Sequence, residues 1–380
     1  MLRGNNRGKR GARNAKMFSA LSAICAGFSV LFGWPSAAAA QSVARFSFES
    51  VIAGDEFGGE TASSRPQLVF DFNLSVRVGD HWQIYTRPWF RMPRPGSPTA
   101  AVPEWDKELY QAGIRYERRG PVAVRVDAGQ ILSPIGLGIY DVRPGMNPTI
   151  VPHLSYLSPM PAFDPAAPRV AAVSATYPLG AQVSLSTDFW DARAAVVNSA
   201  PTRSHAIGAV TNPRATPVFV AGGGVTPITG LRLGASFAHG LYATAEEITT
   251  PNTQGRMMNM AGAEGEWAFS GTKISAEFLR TGFETASGTS AAYEWFVQGQ
   301  QTLSPRWFAA ARREGTSAPA LISGTSMGTG PNLDVFEATA GFRVNRDVTL
   351  RSSFYSRRFY GATDWANQAG VSVVWAHRWW

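Results

Sequence analysis

The sequence is short of several things that whole classes of protein depend on. It has one cysteine in 380 residues, Cys25, and that one lies in a stretch expected to be removed. Neither a disulfide framework nor thiol chemistry is then open to the rest. Beyond residue 40 no apolar run approaches the roughly 20 residues of a membrane-crossing helix. No stretch sustains the 3.6-residue period of an amphipathic helix. The five histidines, His81, His153, His205, His239 and His377, are scattered without metal-ligand spacing. No serine sits in a nucleophile elbow. The run Gly222-Gly223-Gly224 falls within a strand pattern, where it reads as a kink or bulge and not as a phosphate cradle. These patterns call for no cofactor and no metal.

Net charge is scarce too, once the first forty residues are set aside. Residues 1–16 carry six Lys or Arg and no acid; an apolar stretch follows, then Ala38-x-Ala40. That is the pattern of a secretory signal cut before Gln41. The chain as a whole is +8, but losing those six basic residues leaves 29 against 27 acids, a net of +2. The high isoelectric point is therefore a property of the leader and does not point to nucleic acid.

Alternation is what residues 41–380 do have. In 67–79 the side chains of Leu68, Phe70, Phe72, Leu74, Val76 and Val78 share one face, and Gln67, Asp71, Asn73, Ser75 and Arg77 the other. Period two with one greasy and one polar face is a strand between two different media. Gly79-Asp80 then turns the chain into a second such strand. Short turns recur near 79–80, 119–121, 179–181, 229–230, 270–272, 304–306 and 345–347. Longer connections rich in Pro, Ser, Thr and Gly lie near 53–66, 93–107, 134–168, 193–215, 244–255, 285–291, 317–332 and 360–364. Interleaved, they give about sixteen strands: an all-β, antiparallel, up-and-down transmembrane barrel with short periplasmic turns and long extracellular loops. Closure is what removes the sheet edges in lipid. A secreted sandwich would not need the strict alternation of short and long turns, and no fixed repeat supports a solenoid. Sixteen strands are expected to enclose a wet lumen, and no N-terminal domain is left over to plug it.

Residues 134–168 hold eight prolines in 35 residues, so neither helix nor central strand can run through them. Their flanks, VAVRVDAGQILS and RVAAVSATYPL, read as strands. Ile135, Leu137, Ile150, Leu154 and Phe163 need a surface to cover, which suits an ordered loop folded into something wide.

The last residues, VTLRSSFYSRRFYGATDWANQAGVSVVWAHRWW, resemble the closing hairpin of Gram-negative outer-membrane porins. The resemblance implies a terminal aromatic, Trp380, read by the barrel-assembly machinery. Here Val371, Val373, Trp375 and Trp379 form the apolar series, and Trp380 is out of phase with it. GQILSPIGLG at 129–138 resembles the start of the inward-folded third loop of phosphate-selective and related porins, and 134–168 is the third long connection. What the resemblance implies is a constriction at that loop, and often a homotrimer.

Face assignment puts Arg77, Arg87, Arg91, Arg115 and Arg125 on the lumen side of the early strands, and Arg343, Arg351 and Arg357 on late ones. Porins resembling this chain set such a wall against carboxylates on the third loop, here Asp141 and Asp164, with Arg143 and His153 beside them. Counting from the turns puts Arg87 and Arg115 near mid-barrel, and Arg77, Arg343 and Arg351 near the periplasmic rim. A turn at 119–121 sets Arg115 opposite Arg125. That arrangement suits passage of ions and small hydrophilic solutes with a weak anion preference. A plainer reading pairs Arg115 with Asp127 and Arg87 with Asp71. Two other functions fit the same fold: a barrel hydrolase acting on lipid or protein, and a structural or adhesive barrel with a sealed lumen.

Overall fold

A computed structural model describes residues 44–59, 62–92, 106–137, 143–153, 164–168, 170, 178–198, 217–249, 254–322, 326–328, 332–358 and 362–379. The expected leader and cleavage site, Asp141 and Trp380 lie outside them.

Within residues 45–380 the chain folds as strands β1 (Arg45–Gly59), β2 (Ala62–Val78), β3 (Trp82–Arg91), β4 (Asp106–Arg118), β5 (Ala123–Gln130), β6 (Leu179–Ser186), β7 (Trp190–Val197), β8 (Val218–Ile228) and β9 (Leu231–Ala243). They continue as β10 (Arg256–Phe269), β11 (Thr272–Thr285), β12 (Gly288–Thr302), β13 (Trp307–Ser317), the short pair β14 (Ala320–Ile322) and β15 (Ser326–Gly328), then β16 (Leu333–Arg343), β17 (Val348–Arg358) and β18 (Ala366–Arg378). The β14–β15 pair stands apart; the other sixteen strands close a barrel in sequence order, with β1 pairing antiparallel to β18. At the seam the Trp379 N–H donates to the Phe48 carbonyl at 2.9 Å, and its indole N–H to Ser50 Oγ at 2.9 Å.

Seven tight turns and both ends of the sheet lie at one rim, here the turn end; the other connections, all longer except 60–61 and 286–287, lie at the other, the loop end. Local chemistry makes the turns. Ser270 and Gly271 both take positive φ, 44° and 82°, the backbone that matches the right-handed twist of a hairpin. At 344–347 the Asn345 carboxamide oxygen accepts the N–H groups of Asp347 and Val348, each at 2.8 Å.

The alternation read from sequence is present. In β11, Ser275, Glu277, Leu279, Thr281 and Phe283 are buried within the barrel, while Ile274 and Phe278 are exposed outside. Aromatic pairs such as Trp82–Tyr116 and Trp307–Phe342 gird the outer face at the turn end, as interfacial aromatics do in lipid.

Four boundaries differ from the sequence reading. The expected turn at 179–181 is strand: Gly180 lies where the backbone of β7 crosses so closely that a Cβ would collide with Val196. The turn is 187–189, where Thr187 Oγ1 accepts the N–H groups of Phe189 and Trp190, each at 3.1 Å. Val170 is not in a strand and β6 runs from Leu179; the other residues of the strand expected from 169, residues 169 and 171–177, lie outside the described residues. The connections expected at 53–66 and 285–291 shrink to 60–61 and 286–287, because the small and hydroxylated residues there extend the strands as hairpins.

Candidate functional site: the lumen and its inward segment

The connection from β5 to β6 enters the barrel and binds its wall at three places. At the first, Arg193 of β7 donates from Nε to the Pro134 carbonyl at 2.7 Å, and the Leu137 N–H donates to Glu277 of β11. Gly136 between them has φ +73° and lies against the Glu277 carboxylate. At the second, Arg351 of β17 donates from Nη1 to the carbonyls of Asn147 at 2.8 Å and Thr149 at 2.6 Å. Glu337 of β16 accepts the Ile150 N–H at 2.8 Å, and Arg312 of β13 donates to Thr149 Oγ1 at 3.0 Å and to Glu337 at 3.2 Å. His153, fully buried, faces Glu314 at 3.3 Å and stands edge-on to Phe296. At the third, near the loop end, Arg256 of β10 holds Asp164 at 3.1 Å. Proline-rich backbone cannot satisfy itself with a ladder. The charged wall residues supply the missing partners, as buried N–H and C=O groups require.

Apolar contacts follow the same course. Ile131, Ile135, Ala166, Ala167 and Val170 form one buried cluster with wall residues that include Met258, Met260, Leu279 and Phe283. Leu132 and Leu137 pack on a second, which brings together Trp89, Tyr110 and Phe296 from opposite sides of the barrel. Ile150 and Val151 join Phe57, Leu333, Val335 and Tyr355. The loop half of the lumen is thus a packed core, so the wet lumen expected from the strand count, with this segment folded partway into it, is filled there by apolar wall residues as well as by the segment. Period-two patterning shows that a residue faces inward, but not whether water or another segment meets it.

The turn half is polar. Arg77 and Glu117 pair at 3.6 Å, and Arg115 and Arg125 share Asp127 at 2.7 and 2.6 Å. All but Asp127 in this group are part-exposed. Register puts Arg115 opposite Asp127 and Arg125 opposite Glu117, so the arginines expected to oppose each other do not. The ladder closes with Arg118 opposite Val124, so five residues, 119–123, make the turn where three were expected, and the partner of Arg115 moves from residue 125 to residue 127. Arg87 is corrected as well. It forms a bidentate pair with Asp71 at 2.7 Å, lies 5.3 Å from the Tyr110 ring centre, and is 2% exposed, so it does not face open lumen. Arg351, expected at an open rim, is a buried anchor for the segment. Arg143 donates to Gln111 at 3.2 Å, and Asp164 turns to Arg256 and not to the arginines of the early strands.

Sequence reading missed a second charged group. Arg232 of β9 holds Asp191 of β7 at 2.7 Å and Glu264 of β10 at 2.7 Å, and Arg193 reaches Glu264 at 3.2 Å. The triple glycine explains why these guanidiniums fit. A Cβ at Gly222 would crowd Arg193, and one at Gly224 would crowd Arg232. Glycines that read as a kink are a flat floor for two arginines. The signal was present as Arg193 and Arg232 at alternate-face spacing from that run. A crevice between this wall and residues 131–136, lined also by Tyr85, Gln111, Asp127 and Gln182, encloses about 20 Å³, room for about one water. Among the described residues no group of His, Cys, Asp and Glu is arranged to hold a metal.

No family model matches the sequence, and no curated protein matches it either. Solved structures do. OmpF of Salmonella typhi aligns over 89% of this chain and 100% of its own, with 11% identity and a TM-score of 0.55. OprB of Pseudomonas putida aligns over 88% and 94%, with 10% identity and a TM-score of 0.54. OmpT, an outer membrane protein of Vibrio cholerae in a trimer form, aligns over 88% and 100%, with 10% identity and a TM-score of 0.50. The fold is that of the outer-membrane porins. The likeness of 129–138 to phosphate-selective porins gains nothing from these matches.

Proposed function

We propose that this chain is an outer-membrane channel. It is exported by a signal peptide cut before Gln41 and inserted by the barrel-assembly machinery, and it lets ions and small hydrophilic solutes diffuse down their gradients. It performs no catalysis. Segment 134–168 acts as its constriction. The observation that carries this reading is the polar turn half of the lumen, which runs up to residues 131–136 along the wall of Arg115, Arg125 and Arg193. Two arginines there share one carboxylate, so that wall keeps an excess positive charge, which supports a weak preference for anions. The trimer form of the V. cholerae protein supports a homotrimer. In a planar bilayer the purified protein is expected to open in steps, with reversal potentials in a salt gradient that favour anions. A folded barrel that never conducts would overturn the channel, and cation preference would overturn the selectivity.

A second reading has its own observation. The wall of the loop half is buried against the segment by Met258, Met260, Phe283 and Phe296, as in a domain core. That favours a sealed structural barrel, and silence in the same bilayer experiment would select it.

A further inference from the structure

The outer face carries a charged group at the loop end that neither lumen nor seam uses. Asp334 of β16 faces outward opposite Arg358 of β17 and one register step above Phe336. It is bonded by Arg358 and, at 3.4 Å, by Arg313 of β13. Both guanidinium carbons stand over the indole of Trp365, at 5.1 and 5.6 Å from the ring centre. The side chains of Arg313 and Arg358 are 43% and 33% exposed.

Height and charge together define what can meet this group. Down β16 from Asp334 the outward residues are Phe336, Ala338, Ala340 and Phe342, and Phe342 belongs to the turn-end aromatic girdle. Eight residues separate Asp334 from Phe342. At about 3.4 Å per residue and a tilt of about 40°, that is roughly 20 Å along the barrel axis. An apolar band of such a barrel is about 25 Å tall, so the group stands at the opposite headgroup line. Among the described residues Asp334 is the one carboxylate ion-paired with the two arginines, so one guanidinium charge has no bonded counter-charge beside an interfacial tryptophan, which Asp364 precedes in the chain. Each guanidinium has five N–H donors and gives one bond to Asp334, so both retain donors in the fork geometry that suits phosphate.

We propose that Arg313, Arg358 and Trp365 form a binding site for the phosphate of an anionic lipid headgroup in the leaflet at the loop end. A lipid phosphate meets both the charge and the depth. The inference rests on the membrane-spanning reading of the barrel.

The test uses the folded full-length barrel in phosphatidylcholine nanodiscs doped with bis-phosphorylated lipid A or with phosphatidylglycerol, and counts retained lipids by native mass spectrometry. Retention of the anionic lipids is expected to fall about fivefold for each arginine removed, and so about 25-fold in R313Q/R358Q. Arg280→Gln, an outward-facing arginine on β11, should retain them as wild type does. Equal retention by wild type and R313Q/R358Q overturns the site, as does an equal loss in Arg280→Gln, which would mean a diffuse field. Displacement of the lipid by inorganic phosphate would make a soluble anion the occupant, and a change of oligomeric state in the variant without lipid loss would make it a subunit contact; either overturns the proposal. Should the double variant fail to fold, Arg313→Gln alone reads the same loss at about fivefold. A wild-type barrel that does not enter phosphatidylcholine at all overturns the membrane reading along with the site. Insertion without selective retention removes only the site.

Discussion

The two halves of the lumen are made from the same strands but obey different rules. Toward the loop end the inward side chains are buried, and many are apolar: Val218, Met258, Phe283, Leu333 and Val335 are fully covered. Toward the turn end they are charged and part-exposed, as with Arg115, Arg125, Asp191 and Arg232. A strand that faces lipid on one side and water on the other needs only polar residues inside. A strand whose upper part meets a folded segment needs volume and hydrogen-bond partners there. The proline-rich segment therefore changes what the wall must be, and the change begins where the segment starts.

The sharpest way to break the contrast is to remove a charge from the core half. Arg312 and its partners Glu314 and Glu337 are all but fully buried. Arg312→Ala removes the guanidinium that ion-pairs with both carboxylates, and the expected loss is about 3–5 kcal/mol in urea unfolding from lipid vesicles. A loss below about 1 kcal/mol would mean that water fills the site and that the loop half is not a core.

A pair of truncations measures the same contrast without charge. Phe283→Ala in the loop half should cost about 3–5 kcal/mol through the cavity it leaves. Gln182→Ala in the turn half, where the side chain is part-exposed, should stay within about 0.5 kcal/mol. Similar costs at the two positions would erase the distinction.

Gly136→Ala acts on the boundary. Its φ of +73° costs an L residue about 1–2 kcal/mol, and the new Cβ would collide with the Glu277 carboxylate. The expected outcome is that residues 131–137 leave β11 and single-channel conductance rises. Unchanged conductance would place the narrowest point elsewhere.

Much of the barrel was legible because lipid imposes period two on every strand, whatever the sequence around it. The short turn at 344–347 was visible through Asn345, whose side chain makes it. The turn at 187–189 was not, since Thr187 forms it without glycine or proline while Gly180 serves a close strand crossing. The lumen site was legible by face and not by partner. Alternation placed Arg87, Arg115 and Arg125 inward, but two residues of turn length decided that Arg115 meets Asp127. Arg312, Glu337 and Arg351 bind a segment some 160–200 residues earlier, and no local pattern encodes that. The glycine floor under Arg193 and Arg232 was written in the sequence as three glycines; its meaning depended on which strand lay beside it.

The smallest expected effect tests whether solutes touch the polar half at all. Asp127 holds Arg115 and Arg125 together and is itself buried. Asp127→Asn keeps the shape and removes the one charge that offsets them, so the wall gains a unit of positive charge. At about 0.1 M salt, where charges act over about 10 Å, the anion-to-cation permeability ratio should rise, by about twofold. In 1 M salt the Debye length falls to about 3 Å and the difference should vanish. Arg125→Gln should shift the ratio the opposite way. A barrel that conducts but ignores both substitutions carries its ions somewhere other than along β4 and β5. A barrel that ignores them because it does not conduct has a packed core that extends across the whole opening, and the polar half is then a vestibule with no outlet.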